Sequence, residues 1–148
     1  MSDLKKRTLA GVLGLVMAGV MAGVMAVPAA AEGSFTSSFS GWLPGKNSRT
    51  WSDGNRDANS TLITLGGCRA EPNATVRVTF RLQLTRETPW YTPDQSKGRK
   101  DFACFSSPVT GNWGRQESGS YHFTLTHVNG NESSTVGKVK ASTVKVSY

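Results

Sequence analysis

The chain has 148 residues, with 17 Lys and Arg against 10 Asp and Glu, long enough for one hydrophobic core and too short for several. Its basic excess suits an anionic partner such as a wall polymer or an acidic protein surface. With no nucleic-acid reading motif, nucleic acid is not an expected partner.

Lys5, Lys6 and Arg7 precede an apolar run from Leu9 to Val27, which ends at Pro28-Ala29-Ala30-Ala31. A positive start, an apolar stretch and a small-residue cleavage site mark a secretory signal. A membrane anchor is the alternative. The glycines in the run, Pro28 and the three alanines count against it. Cleavage is expected after Ala31, by the general secretory route, since no twin-Arg pair is present. Removing Lys5, Lys6, Arg7 and Asp3 leaves 14 basic against 9 acidic residues, a net of +5. The product is expected to be secreted and extracellular, with no membrane contact after cleavage. The expected organisation is a signal peptide (1–31), an N-terminal arm (32–50) and a β-sandwich domain (51–148).

The Ser- and Gly-rich start of the mature chain carries Phe35, Phe39, Trp42 and Leu43. Four large apolar side chains in so short a stretch read either as partner-binding anchors on a flexible arm or as an edge strand on the domain's own core. The segment Asp53-Gly54-Asn55-Arg56-Asp57-Ala58-Asn59 has oxygen side chains at alternate positions, like the start of a calcium loop. Ala58 replaces the required glycine and Thr64 the closing Glu, so an Asx-rich turn is expected and no metal or cofactor. Ser60 to Leu65 reads as a short strand ending before Cys68.

Thr75 to Leu84 alternates strictly. Val76, Val78, Phe80, Leu82 and Leu84 form one face, with Arg77 and Arg81 on the other, the pattern of a half-buried strand. A long connection is expected from Thr85 to Asp101. It holds Trp90, Tyr91, Lys97, Arg99 and Lys100, residue types favoured at binding hot spots. Either these make a contact surface, or Trp90 caps the core and the charges are solvated. Phe102 to Phe105 reads as a short strand bearing Cys104, and Pro108 to Glu117 as a loop around Trp113. Tyr121 to Val128 is a strand, Asn129-Gly130 a favoured hairpin turn, and Ser134 to Val139 the return. Thr143 to Tyr148 is the last strand, with Val144, Val146 and Tyr148 on one face. Cys68 and Cys104 are expected to pair, as two cysteines in an exported chain usually do. Short alternating strands between turns argue an all-β fold, a small antiparallel β-sandwich with one disulfide, with an open barrel as runner-up.

No zinc-protease, nucleophile-elbow or phosphate-loop motif is present. His122 and His127 are separated by an odd interval, which sets them on opposite faces of one strand unless a bulge intervenes. The chain is therefore expected to be non-catalytic.

The order Phe39-Ser40-Gly41, Ser48-Arg49-Thr50-Trp51-Ser52-Asp53, Gly67-Cys68, Cys104, Trp113 and Gly119-Ser120-Tyr121-His122-Phe123 resembles small exported proteins of filamentous actinobacteria, and among them the adaptor subunit of umbrella toxin particles. That resemblance implies an adaptor joining a trypsin-like, lectin-bearing subunit to the repeat stalk of a large antibacterial toxin. It also implies that the N-terminal extension, here Phe35 to Leu43, makes one contact. A carbohydrate- or wall-binding module using Trp90 and Tyr91 is the alternative. A protease inhibitor presenting the Thr85 to Asp101 segment is a further one.

Overall fold

A computed structural model describes residues 33–133 and 137–148. The expected signal peptide and residues 134–136 of the expected return lie outside the described residues. Among the described residues nine strands follow in chain order: β1 (Ser34–Trp42), β2 (Trp51–Asp53), β3 (Leu62–Gly66), β4 (Arg69–Ala70), β5 (Phe80–Glu87), β6 (Gln95–Phe102), β7 (Val109–Asn112), β8 (Gly119–Val128) and β9 (Val139–Ser147). They form two antiparallel sheets. Sheet A runs β1-β9-β3-β7, with β4 also pairing β9, and sheet B runs β2-β8-β5-β6. The all-β sandwich is therefore the fold, not the barrel.

Period-two alternation builds the core. In β5, Phe80, Leu82 and Leu84 are fully buried, and Arg81 and Gln83 between them reach solvent. Across β8 they stand opposite Val128, Leu125 and Phe123. Sheet A supplies Ile63 and Leu65 from β3 and Val144 and Val146 from β9. Each such side chain contributes about 1.5–3 kcal/mol on burial. Cys68 and Cys104 form the expected disulfide, both fully buried, with Cα atoms 5.2 Å apart. It ties the β3–β4 turn to the segment after β6, where Cys68 N–H also donates to the Cys104 carbonyl at 3.0 Å.

Of the two readings of the N-terminal segment, the edge strand holds and the flexible arm does not. Ser34–Trp42 is an edge strand paired to β9, with Phe35 opposite Val146 and Phe39 opposite Ala141. Its aromatic rings reach across to sheet B. Phe39 lies 5.8 Å from Phe80, and Trp42 lies 6.0 Å from Phe123. The chain then crosses between sheets. Gly45 and Ser48 donate to the carbonyls of Leu125 and Phe123, so 45–48 runs along β8 and leads into β2. The domain thus includes residues 33–50 and does not begin at Trp51. Burial of apolar surface, stronger than the poor strand propensity of Ser and Gly, decides this.

Other boundaries shift for local reasons. The strand expected from Thr75 starts at Phe80, because Asn73 Oδ1 accepts from Thr75 N–H and Oγ1 and holds a turn there. The long connection from Thr85 to Asp101 is instead a hairpin: β5 runs on to Glu87, β6 begins at Gln95, and only 88–94 form the loop. Cys104 lies beyond β6 rather than on a strand, and Val109–Asn112 is a strand where a loop was expected. Asn129 (φ 49°) and Gly130 (φ 80°) make the expected turn with both residues at positive φ. At the start of β8, the Tyr121 hydroxyl donates to the Glu117 carbonyl at 2.6 Å, and burial pushes its pKa up.

Candidate functional site

Burial leaves three large apolar side chains exposed among the described residues: Val76 at 43%, Trp90 at 96% and Tyr91 at 71%. Trp90 and Tyr91 are adjacent at the tip of the β5–β6 hairpin, their rings 5.7 Å apart and nearly perpendicular. The tip is held by its own hydrogen bonds. Asp94 Oδ1 accepts from Thr88 N–H at 2.9 Å, Thr88 Oγ1 donates to the Thr92 carbonyl at 2.6 Å, and Thr92 N–H donates to the Pro89 carbonyl at 2.8 Å. Two exposed rings on a cross-tied loop lose little conformational entropy on binding, which favours affinity. Trp90 does not cap the core.

Beneath the tip, on the outer face of sheet B, lies an open polar cleft of about 610 Å³. Asn47, Ser48 and Thr50 line it from the crossing segment, His122 from β8, and Glu87, Thr88, Trp90, Thr92 and Asp94 from the hairpin. Glu87 Oε1 accepts from Thr50 Oγ1 at 2.7 Å and lies 3.0 Å from His122 Nδ1. The nearby hydroxyls are already committed. Thr50 donates to Glu87, and Ser48 donates to the Arg49 carbonyl and accepts from Phe123 N–H. The cleft offers acceptors, an amide and one imidazole, a set suited to hydrogen-bonding a ligand.

The bulge left open in the sequence is present. β8 pairs with β5 through a register shift between His127 and Leu125, and this brings His122 and His127 to the same outer face. They remain apart there, His122 beside Glu87 and His127 with Nε2 3.1 Å from Glu132. Beside His127, its cross-strand partner Arg81 grips Asp101 through two bonds of 2.6 and 2.9 Å, and this holds the Asp101 carboxyl below its usual pKa.

The structure divides the expected contact residues. Trp90 and Tyr91 are displayed together. Lys97, Arg99 and Lys100 lie on β6 and do not form one basic surface with them. Lys97 Nζ contacts Gln95 Oε1, Arg99 bonds Gln83 Oε1 on the outer face, and Lys100 turns over the ring of Trp113. Phe35, Phe39, Trp42 and Leu43 are not free anchors. Phe39 is buried and stacked on Trp42 at 4.2 Å, Phe35 lies between Trp51 and the Arg49 guanidinium, and Leu43 is half-buried. In the candidate calcium loop, Asp53 and Asp57 accept from the backbone N–H of Asn55 and Asn59, so this segment is two successive Asx turns. Sequence reasoning missed Asn47, Thr50, Glu87, Asp94 and His122 as cleft residues. Only Thr88 and Asp94, bracketing Pro89 and Pro93, carried a local signal for a closed loop. The comparisons with known proteins leave the reading on this geometry: no family model matches the chain, and no curated protein or solved structure matches it.

Proposed function

We propose that the protein is an exported, non-catalytic binding protein that grips another secreted protein with its β5–β6 hairpin. In its fullest form this is the adaptor role in an extracellular antibacterial toxin complex that the sequence resemblance implies. The observation that carries the reading is the display of Trp90 and Tyr91 at a cross-tied tip, while Phe105 is covered by the Arg69 and Arg77 guanidiniums and the remaining aromatic side chains pack on the core. Aromatic residues in such settings are typical interface hot spots. The buried disulfide is compatible with an extracellular location.

The test is affinity capture from the producer's own culture medium. Tagged protein is expected to recover large secreted proteins in stoichiometric amount. The double variant Trp90→Ala/Tyr91→Ala is expected to lose them while keeping its circular dichroism and Tm. Recovery of the protein alone, as a monomer, refutes the adaptor reading. One observation favours a second reading, a carbohydrate- or wall-binding module: the Trp90 ring stands over a polar cleft, where a sugar would stack and hydrogen-bond. Cosedimentation with insoluble peptidoglycan or chitin, lost in Trp90→Ala, would select it.

A further inference from the structure

Along β1 the residues that face the core are read from their partners on β9. Phe35 stands opposite buried Val146, Ser37 opposite buried Val144, and Phe39 opposite buried Ala141. A serine, exposed because nothing closes over it, therefore occupies the inward-register position between two phenylalanines. The missing side chain leaves an apolar slot of about 210 Å³ at the open edge of the sandwich, floored by Phe123 and Val144 and walled by Phe35, Phe39 and Trp42. A dry cavity of about 150 Å³ holds a benzene molecule, so this slot has room for one bulky apolar side chain.

The backbone beside the slot is also open. β1 is the last strand of its sheet, and Ser34 to Ser37 pair regularly with β9. Edge strands are usually blocked by lysine, proline, inward-pointing charge or bulges. Ser34–Trp42 contains no charged residue and no proline, and its two register shifts and the bonds of Ser40 and Gly41 to Glu71 fall after the regular Ser34–Ser37 stretch. Arg49 is the sole charged residue lining the slot, and Lys145 stands opposite Thr36 on the neighbouring strand.

We infer that this edge takes an extended segment of a partner protein, which adds a strand to sheet A, seats one bulky apolar side chain in the slot and carries an acidic residue close to that anchor. The inference rests on the binding-protein reading and gives it a second contact, separate from the hairpin. Strand addition of this kind draws affinity from backbone hydrogen bonds and specificity from the pocketed side chain. A second copy of this chain fits poorly. Its large β1 side chains are turned into its own core, and pairing two β1 edges would bring Arg49 and Lys145 of both copies together.

The test uses displayed peptides of about ten residues, the length of a strand, selected against the folded protein. Enriched peptides are expected to share one aromatic or large aliphatic residue with Asp or Glu within two positions. A synthetic peptide of that sequence is expected to protect β1 amides from hydrogen exchange. Ser37→Leu, which fills the slot, is expected to weaken binding by about tenfold or more, as loss of an anchor does, and to keep or raise Tm. Trp90→Ala/Tyr91→Ala is expected to leave peptide affinity unchanged, which separates this contact from the hairpin. The amide map on the unmodified protein decides the matter even if Ser37→Leu fails to fold. The inference is overturned if no such peptide is enriched, if protection falls on the hairpin and not on β1, or if β1 is protected by concentration-dependent dimerisation of the protein alone.

Discussion

Replacing Phe39 by alanine separates an edge strand that belongs to the core from an arm resting on it. The ring is 7% exposed, stacked on Trp42 at 4.2 Å and 5.8 Å from Phe80 of the opposite sheet. Its partner on β9 is Ala141, too small to fill the space. Phe→Ala in a closed core costs about 3–5 kcal/mol. Here the void would join the open slot beside Ser37 and Trp42 would relax into it, so the low end applies, about 3 kcal/mol. Against a typical domain stability of about 5–15 kcal/mol, that is a large share. Urea denaturation followed by tryptophan fluorescence reads it as a midpoint lowered by about 1–2 M with the slope unchanged. Trp90→Ala, which removes a larger but exposed ring, is expected to stay within about 0.5 kcal/mol of the parent. A loss below about 1 kcal/mol for Phe39→Ala would refute the claim that β1 folds as part of the cooperative unit.

Removing the disulfide with Cys68→Ala/Cys104→Ala frees a loop with a sequence separation of 36 and is expected to cost about 4 kcal/mol, a fall in Tm on the order of 15 °C by calorimetry; an unchanged Tm would show that the loop stays closed without the bond. Acid stability is expected to depend on Glu71 and Asp101. Bonds from the Ser40 hydroxyl and Gly41 N–H hold the Glu71 carboxyl below its ordinary pKa, and Arg81 does the same for Asp101. Because the folded values lie below the unfolded ones, the stabilisation is complete above about pH 5, clear of both unfolded values, and is lost as pH falls through the folded values. Glu71→Gln and Asp101→Asn should therefore flatten the acid limb of Tm against pH; variants as steep as the parent would contradict this.

Much of the sandwich was legible in the sequence because burial and chain period coincide there. Phe80, Leu82 and Leu84 in β5, and Tyr121, Phe123 and Leu125 in β8, alternate without interruption. β6 escaped notice for the opposite reason. As the outer strand of sheet B it turns only Phe102 fully into the core, so Gln95 to Asp101 has no apolar alternation to read. β1 was ambiguous because its apolar residues fall at 35, 39 and 42, and no strict two-residue period links them. The displayed pair Trp90 and Tyr91 was visible as residue types in a connection. The cleft beneath was not, since Asn47 and Thr50 meet Glu87 and His122 only through the crossing of 45–48 along β8. No local residue pattern announced the bulge that brings His122 and His127 to one face.

The pairing of β1 with β9 also orders events in time. These are the first and last strands of the described chain, and Ser34 finds its register against Ser147. Such a pairing pays the full loop-closure entropy before any contact repays it. Sheet B is different: the β5–β6 hairpin closes locally, across a seven-residue loop. The nucleus is therefore expected in sheet B, with β1 settling late. For a chain emerging N-terminus first, Phe35, Phe39 and Trp42 stay uncovered until the final strand arrives. Substitutions in β1 should then hasten unfolding far more than they slow folding.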